Sequence, residues 1–222
     1  MAGEDLGRRV RRLDPDRWLA SRFIANGAKR ADVIALLAFD AELARAPRIA
    51  SDPLIAEIRL TWWREAVDEI FEGPTHRRHP VVIALARAIA RHGLERERLE
   101  AMIEARIEGP AEPAAWANAT AGSLAVLTAT ILDPAAQAEP ARLAGRAWGL
   151  FTLRRASVEP GALDAPLAAG LEVATQAARG YSPAAFPAIA CATLIGPQLR
   201  HGRMGELEKR LRLLAAVARG RI

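Results

Sequence analysis

Four carboxylates on one predicted helix form the densest group of potential metal ligands in this 222-residue sequence. They recur at intervals of three or four residues, at Glu65, Asp68, Glu69 and Glu72. A helix would place them on one face, and carboxylate oxygens are the ligands that Mg²⁺ prefers, usually together with substrate phosphates. That face lies opposite an apolar stripe, so we favour the alternative in which these carboxylates are exposed to solvent.

Other residue types that carry out catalysis are sparse. None of the four histidines has a partner at the spacing of an HExxH zinc motif. Cys191 is the single cysteine, so it forms neither an intrachain disulfide nor a cysteine-based zinc site; its apolar surroundings, AFPAIACATLIG, predict core packing. GxSxG, P-loop and GxGxxG motifs are absent, so nothing indicates a typical hydrolase, NTPase or dinucleotide-binding enzyme.

The chain is basic, with a formal net charge of +5, and Lys29 and Lys209 are the only lysines in the sequence. A GC-rich genome would explain the arginine excess, and an anionic partner is the alternative, because arginine binds phosphates in bidentate fashion. No aromatic interleaving or helix-turn-helix pattern supports a nucleic-acid partner. Basic residues gather near both ends of the chain, at Arg8, Arg9, Arg11, Arg12, Lys209, Arg210, Arg212, Arg219 and Arg221.

The elements that must position these residues are predicted to be helices. The sequence is 51% hydrophobic and 26% charged but only 5% aromatic, which is typical of a soluble all-α protein. Apolar periodicity and capping residues predict nine or ten helices in a single-domain bundle spanning residues 14–222, after a flexible tail over residues 1–13. No secretory signal is visible at the start, so we expect a cytoplasmic location, with contact at the inner membrane surface as an option.

Several helix boundaries are predicted from local signals. Asp14-Pro15 and Asp52-Pro53 are typical helix starts, and Pro47 is expected to end the second helix. Residues 183–199 are predicted to form a buried helix. In the helix that begins near Pro53, we expect an apolar stripe to face the core. It is made of Ile55, Ile58, Trp62, Ala66 and Ile70 and is broadened by Trp63, Val67 and Phe71.

Residues 38–73, AFDAELARAPRIASDPLIAEIRLTWWREAVDEIFEG, resemble the first signature region of the squalene/phytoene synthase family, an all-α group of prenyl-diphosphate condensing enzymes. The resemblance extends over nearly the whole chain and implies an isoprenoid-synthase-like fold. The tail resembles that of a bacterial branch of the family. The other segments that carry the resemblance are DRWLASRFIANGAKRADVIALLAFDAELAR, HPVVIALARAI, WANATAGSLAVL, GLFTLRRASVEPGALDAP and RLRLLAAVARGRI.

The metal-binding positions of that family are degenerate in this chain. In the synthases, two aspartate clusters hold the magnesium ions that grip the substrate diphosphates. The first cluster falls here on Ala44, Arg45 and Arg48, and the second runs from Arg155 to Glu159 and retains one carboxylate. Arginines reverse the local charge, so we expect no metal and no cofactor, with magnesium required only if the chain is an enzyme after all.

The resemblance also implies candidate ligand contacts. The Ala121-Gly122 pair matches a family pattern in which small residues let an isoprenoid tail approach the helix. Candidate cavity-lining residues are Phe39, Trp62, Trp116, Gly122 and Leu150, each of which is also compatible with ordinary core packing. Candidate phosphate-binding residues are Arg45, Arg48, Arg154 and Arg155.

The function that we expect is a non-catalytic one. The segment AFDAELARAPRIASDPLIAEIRLTWWREAVDEI is most similar to an aspartate-poor branch of the family that is related to mitochondrial complex I assembly factors. This implies a scaffold or assembly role, with a respiratory-complex protein as client and an isoprenoid or lipid as an optional ligand. The alternative is a prenyltransferase that condenses two prenyl diphosphates, and a plain helical interaction module is a third option.

Overall fold

The computed structural model describes residues 2–49, 52–202 and 204–222, and the side chains of residues 2–5, 48 and 49 lie outside that description. The described residues form helices and no strand, as predicted. Eleven helices lie within these ranges: α1 (Ala2–Leu13), α2 (Pro15–Ser21), α3 (Gly27–Ile49), α4 (Pro53–Glu72), α5 (Pro80–His92), α6 (Arg96–Glu108), α7 (Pro113–Leu132), α8 (Ala138–Ala156), α9 (Asp164–Ala177), α10 (Ile195–His201) and α11 (Glu206–Arg219).

Helix α3 runs through the middle of the bundle and packs against α1, α2, α4, α5, α6 and α7. Residues 32–41 are buried without interruption, as expected for a helix that is surrounded on all sides by protein. Most of them are apolar, but Asp32 and Asp40 are buried as well. Buried carboxylates require hydrogen-bonding or cationic partners. Asp32 and Asp40 find these partners on neighbouring helices.

The N-terminal segment is the first correction, because the predicted flexible tail over residues 1–13 is wrong. Ala2–Leu13 form a helix that packs against α3. Leu6 and Val10, one turn apart, are 6% and 0% exposed, and Arg9 forms an ion pair with Glu42. Among its arginines this segment has a narrow apolar face, and the helix is stabilised because α3 covers that face.

Helix α3 is also longer than predicted, since Pro47 lies inside it and the described helix continues to Ile49. Proline lacks the amide hydrogen that would bond to the carbonyl of Leu43, so the helix loses one hydrogen bond here without ending. The predicted starts of α2 and α4 are confirmed: Asp14 accepts a hydrogen bond from the amide of Arg17 at 3.1 Å, and Asp52 accepts one from the amide of Leu54 at 2.9 Å.

The predicted helix over residues 183–199 is wrong. This segment forms two short 3₁₀ turns, Phe186–Ala188 and Ala190–Leu194, before α10 begins at Ile195. Pro187 lies within the first turn and lacks the amide hydrogen that a continuous helix would need. The segment is nevertheless buried, as expected, with Phe186 at 0% exposure and Cys191 at 5%.

Helix α4 buries only part of the predicted apolar stripe. Its core-facing residues are Ala56, Leu60, Trp63, Ala66 and Val67, of which Trp63, Ala66 and Val67 belong to the predicted stripe. Ile55 and Ile58 are 39% and 60% exposed. The helix carries apolar side chains around most of its circumference, so periodicity alone could not identify the face that packs against α3 and α6.

Candidate functional site

The acidic face of α4 is occupied by arginines. Arg77 binds Glu65 at 3.0 Å and donates from Nε to Glu69 at 2.9 Å, and Arg96 binds Asp68 at 2.5 Å. The hydrogen bond from Arg77 holds the pKa of Glu69 below its usual range. No group of three or more metal-ligating side chains is gathered anywhere in the described part of the chain. These carboxylates therefore form surface ion pairs.

The first degenerate motif lies at the surface. Ala44 is half-buried and Arg45 is exposed, while the side chain of Arg48 falls outside the described residues. Arg45 lines a shallow groove of about 240 Å³ between α3, α4 and the start of α5. Trp62, predicted to line an internal cavity, lines this surface groove instead and stacks under Arg77 at 4.7 Å.

The histidines at the ends of α5 have structural contacts. His79 contacts the rings of Trp62 and Trp63 at 5.7 Å and 5.2 Å, and burial lowers its pKa, which keeps it neutral at pH 7. His92 contacts the buried Asp32 through Nε2 at 2.9 Å and so ties the end of α5 to α3. Neither arrangement resembles a catalytic triad or a zinc site.

The second degenerate motif also lies outside the interior. Arg154 forms an ion pair with Asp164 at 2.5 Å. Arg155 is exposed and its guanidinium lies 5.6 Å from the centroid of the Phe151 ring, and Glu159 is exposed. The groove that Arg45 lines receives no residue from this second motif. Among the described side chains, Arg45 and the pair Arg154 and Arg155 therefore do not line a common groove.

A cavity of about 30 Å³ lies in the interior of the bundle, between α2, α3, α7, α8 and residues 187–191. Sites for drug-sized ligands measure about 300–1,000 Å³, so this cavity is at least about ten times smaller than such a site. An isoprenoid chain of fifteen or more carbons would need far more room. The residues that line this cavity include Arg17, Leu37, Leu124, Trp148 and Cys191.

A buried ion network occupies the space beside this cavity. Arg17 reaches Asp40 at 3.0 Å and donates from Nε to Asp14 at 2.5 Å, and Arg106 of α6 forms an ion pair with Asp40. Burial alone would raise the pKa of Asp40, but the guanidiniums of Arg106 and Arg17 outweigh it and hold that pKa below its usual range. The guanidinium of Arg17, which lines the cavity, is therefore already neutralised by carboxylates.

This network was not anticipated from the sequence, although a signal existed. Asp40 interrupts a run of apolar residues in α3, and a lone carboxylate in such a run calls for a buried cationic partner. The identity of that partner depends on tertiary contacts, because Arg106 is 66 residues away.

Helices α7 and α8 close the other side of the interior. In α7, Asn118–Gly122 form a single turn of π-helix, which widens the helix locally. In α8, Gly145 and Gly149 lie directly against Ala121 and Ala117, and a Cβ on Gly149 would lie 2.8 Å from that of Ala117. The small residues that the resemblance associated with ligand access therefore let one helix approach another.

The predicted cavity-lining residues lie elsewhere in the bundle. Phe39 and Leu150 are fully buried in the core, and Phe39 packs edge-on against Trp63 at 5.5 Å. Trp116 is half-buried against the core. Gly122 is buried, and a Cβ there would lie 3.3 Å from the carbonyl oxygen of Arg142. None of these four lines the small internal cavity.

Comparison with known proteins identifies the family to which this chain is similar. The family model for squalene/phytoene synthase matches residues 10–164. Over 160 residues the chain is 31% identical to the Bos taurus protein "NADH dehydrogenase (ubiquinone) complex I, assembly factor 6" and 30% identical to its Homo sapiens counterpart. Each alignment covers 67% of this chain and 47% of the relative, so the chain spans about half the length of the curated relatives it matches.

One solved structure has the same architecture over almost its whole length. The crystal structure of squalene synthase HpnC from Alicyclobacillus acidocaldarius matches with a TM-score of 0.58, covering 98% of this chain and 94% of that one. Sequence identity is 16%, so this likeness shows a shared fold.

Proposed function

The chain belongs to the squalene/phytoene synthase family, and from that premise we propose that it is a non-catalytic member that assists the assembly of a respiratory complex. The observation that supports the non-catalytic part is the small volume of the internal cavity. A cavity of about 30 Å³, bordered by a neutralised ion network, offers space for neither a prenyl chain nor its diphosphate.

The electrostatics of the two signature regions support the same proposal. Ionisation of an allylic diphosphate needs divalent cations that stabilise the departing pyrophosphate, and these cations need carboxylates. The corresponding positions carry Ala44 and Arg45 in one region and Arg155 in the other. Glu159 is the carboxylate that remains, and a single exposed carboxylate binds magnesium weakly.

The assembly part of the proposal draws on the curated relatives. Proteins named as complex I assembly factors share about 30% identity with this chain over 160 residues. We propose that the client is a subunit or an assembly intermediate of NADH dehydrogenase, and that the chain acts as a cytoplasmic, bacterial protein at the inner membrane surface. Its helical surface, rather than its interior, would contact the client.

The prenyltransferase alternative is less well supported. It would require arginines to clamp the diphosphate directly, but Arg154 is bound to Asp164 and Arg155 stacks on Phe151. Neither contributes to the groove beside Arg45.

Deletion of the gene in the organism that encodes the chain tests the proposed function. Native gels of membrane extracts should show less assembled NADH dehydrogenase, with subcomplexes accumulating, and a plasmid copy should restore the full complex. Succinate dehydrogenase in the same membranes provides the control and should be unchanged. Normal NADH dehydrogenase levels in the deletion strain would refute the proposal.

A further inference from the structure

An exposed row of leucines runs along α11. Leu207, Leu211 and Leu214 are 72%, 57% and 54% exposed, and their spacing of four and three residues places them on one face of the helix. The opposite face, with Leu213 at 0% and Ala216 at 7% exposure, packs on the bundle. We call the three exposed residues the leucine stripe. Apolar side chains grouped in this way mark an interaction surface more often than scattered ones do.

The C-terminal segment that carries the leucine stripe is basic. Residues 200–222 contain seven arginines or lysines and two glutamates, and one of the seven, Lys209, is neutralised by the buried Asp16. Two of the arginines are paired within the helix, Arg210 with Glu206 and Arg212 with Glu208. Arg219 and Arg221 are exposed and form no ion pair with a described residue.

The helix is held with its leucines outward. Lys209, on the inner side of α11, binds the buried Asp16 of α2 at 2.5 Å, and Gln198 donates to the same carboxylate at 3.2 Å. Asp16 is 5% exposed. This attachment fixes the rotation of α11, so the leucine stripe cannot turn into the core.

We propose that α11 binds the surface of a membrane that contains anionic phospholipids, with the leucine stripe inserted among the acyl chains next to the headgroups. Amphipathic helices with a basic border bind in this way, because apolar burial and attraction to anionic headgroups act together. The proposal goes beyond the assembly role and does not depend on it.

Two other occupants fit the stripe less well. A second copy of the chain would bring two surplus positive charges of the same size together, and like charges oppose association. A membrane-spanning arrangement does not involve α11 either. The one described helix that is long and apolar enough to span is Pro113–Leu132, and 72% of its most apolar 18-residue stretch is buried inside the bundle.

Vesicle flotation tests this proposal with the intact protein. We expect the chain to float with vesicles of phosphatidylcholine and phosphatidylglycerol, but not with phosphatidylcholine alone, and to be released as salt rises from about 0.1 M to about 1 M. The triple variant Leu207→Gln, Leu211→Gln, Leu214→Gln should reduce the partition coefficient about tenfold or more. Arg219→Gln with Arg221→Gln should weaken binding at low salt.

A matched control separates the leucine stripe from exposed apolar residues in general. Leu54→Gln with Ile58→Gln removes two side chains on α4 that are each 60% exposed, and it should leave flotation unchanged. All variants alter exposed positions, so their circular dichroism and thermal midpoints should match the wild type. Three results would overturn the proposal: no flotation of the wild type, equal flotation of the triple variant, or a wild-type dimer that the triple variant converts to monomers in sedimentation.

Discussion

A Cβ atom on Gly145 of α8 would overlap the carbonyl oxygen of Ala121 in α7. The two helices therefore meet backbone to backbone, at the Ala121-Gly122 pair that the family resemblance associates with an isoprenoid tail. In this chain Ala121 and Gly145 make room for helix packing, and both also line the small internal cavity. This contact, together with the ion network around Asp40, leaves the interior with about 30 Å³.

The close approach of α7 and α8 predicts a large effect for a single methyl group. Gly145→Ala and Gly149→Ala should each lower the free energy of unfolding by about 2–3 kcal/mol, because the obstructing atoms include backbone, which cannot move aside easily. Gly170→Ala is the matched control, since its Cβ would lie 3.6 Å from Leu150 in ordinary contact. It should stabilise α9 by about 0.5–1 kcal/mol. Denaturant unfolding measures all three, and equal stabilities would contradict the packing described.

The buried pair of Asp40 and Arg106 predicts a second effect. Asp40→Asn keeps the side-chain shape but leaves the cations of Arg106 and Arg17 undercompensated in the interior, so it should cost about 3–5 kcal/mol. The exposed pair of Arg64 and Glu104, at 2.6 Å, is the control, and Glu104→Gln should cost less than about 1 kcal/mol. Similar losses in the two variants would show that the Asp40 network adds nothing beyond a surface pair.

The same carboxylate predicts a pH dependence. Because the folded-state pKa of Asp40 lies below its ordinary value of 3.8, its stabilisation is fully present above that value and is lost as pH falls through the folded-state pKa. The wild type should therefore lose stability more steeply than Asp40→Asn below about pH 4. Urea unfolding over an acid pH series measures both slopes. Parallel slopes would mean that Asp40 has an ordinary pKa.

The link between Lys209 and Asp16 predicts local loosening of α11. Lys209→Met removes the cation from a buried carboxylate and should destabilise the docking of α11 by about 1–3 kcal/mol. Amide hydrogen exchange should rise in α11 and remain slow in α3. Arg210→Gln, which breaks the exposed pair with Glu206 on the same helix, should change exchange little. Unchanged protection in Lys209→Met would show that other contacts hold α11.

The thiol of Cys191 predicts a simple labelling experiment. Burial raises its pKa to about 12, and the side chain is 5% exposed, so it should not react with a thiol reagent at pH 8 while the protein is folded. Denaturant should expose it completely. Rapid labelling of the native protein would mean that the 3₁₀ segment around residues 186–194 opens readily.

Local signals accounted for much of the fold and little of the site. The caps at Asp14 and Asp52 were predictable because a side chain and an amide two or three residues away define them. The buried face of α4 was only partly predictable, since Leu60 and Ile58 are equally apolar and only the positions of α3 and α6 distinguish them. Helix α1 was not predicted either, because its many arginines mask the apolar periodicity and only the position of α3 shows that one face is buried.

The ligand positions illustrate the limit more sharply. Residue types alone predict that Ala44, Arg45 and Arg155 are unsuited to magnesium. The small volume of the interior could not be predicted in this way, because it depends on the tertiary contacts of Gly145 with Ala121 and of Arg106 with Asp40. Each pair joins residues that are far apart in sequence.

The central proposal is that this family member does not catalyse the synthase reaction. Its most direct test is pyrophosphate release by the pure protein with farnesyl or geranylgeranyl diphosphate, magnesium and NADPH, with product extraction for C30 and C40 hydrocarbons. We predict no release above a protein-free blank and no hydrocarbon product. Turnover that is abolished by EDTA would contradict the account.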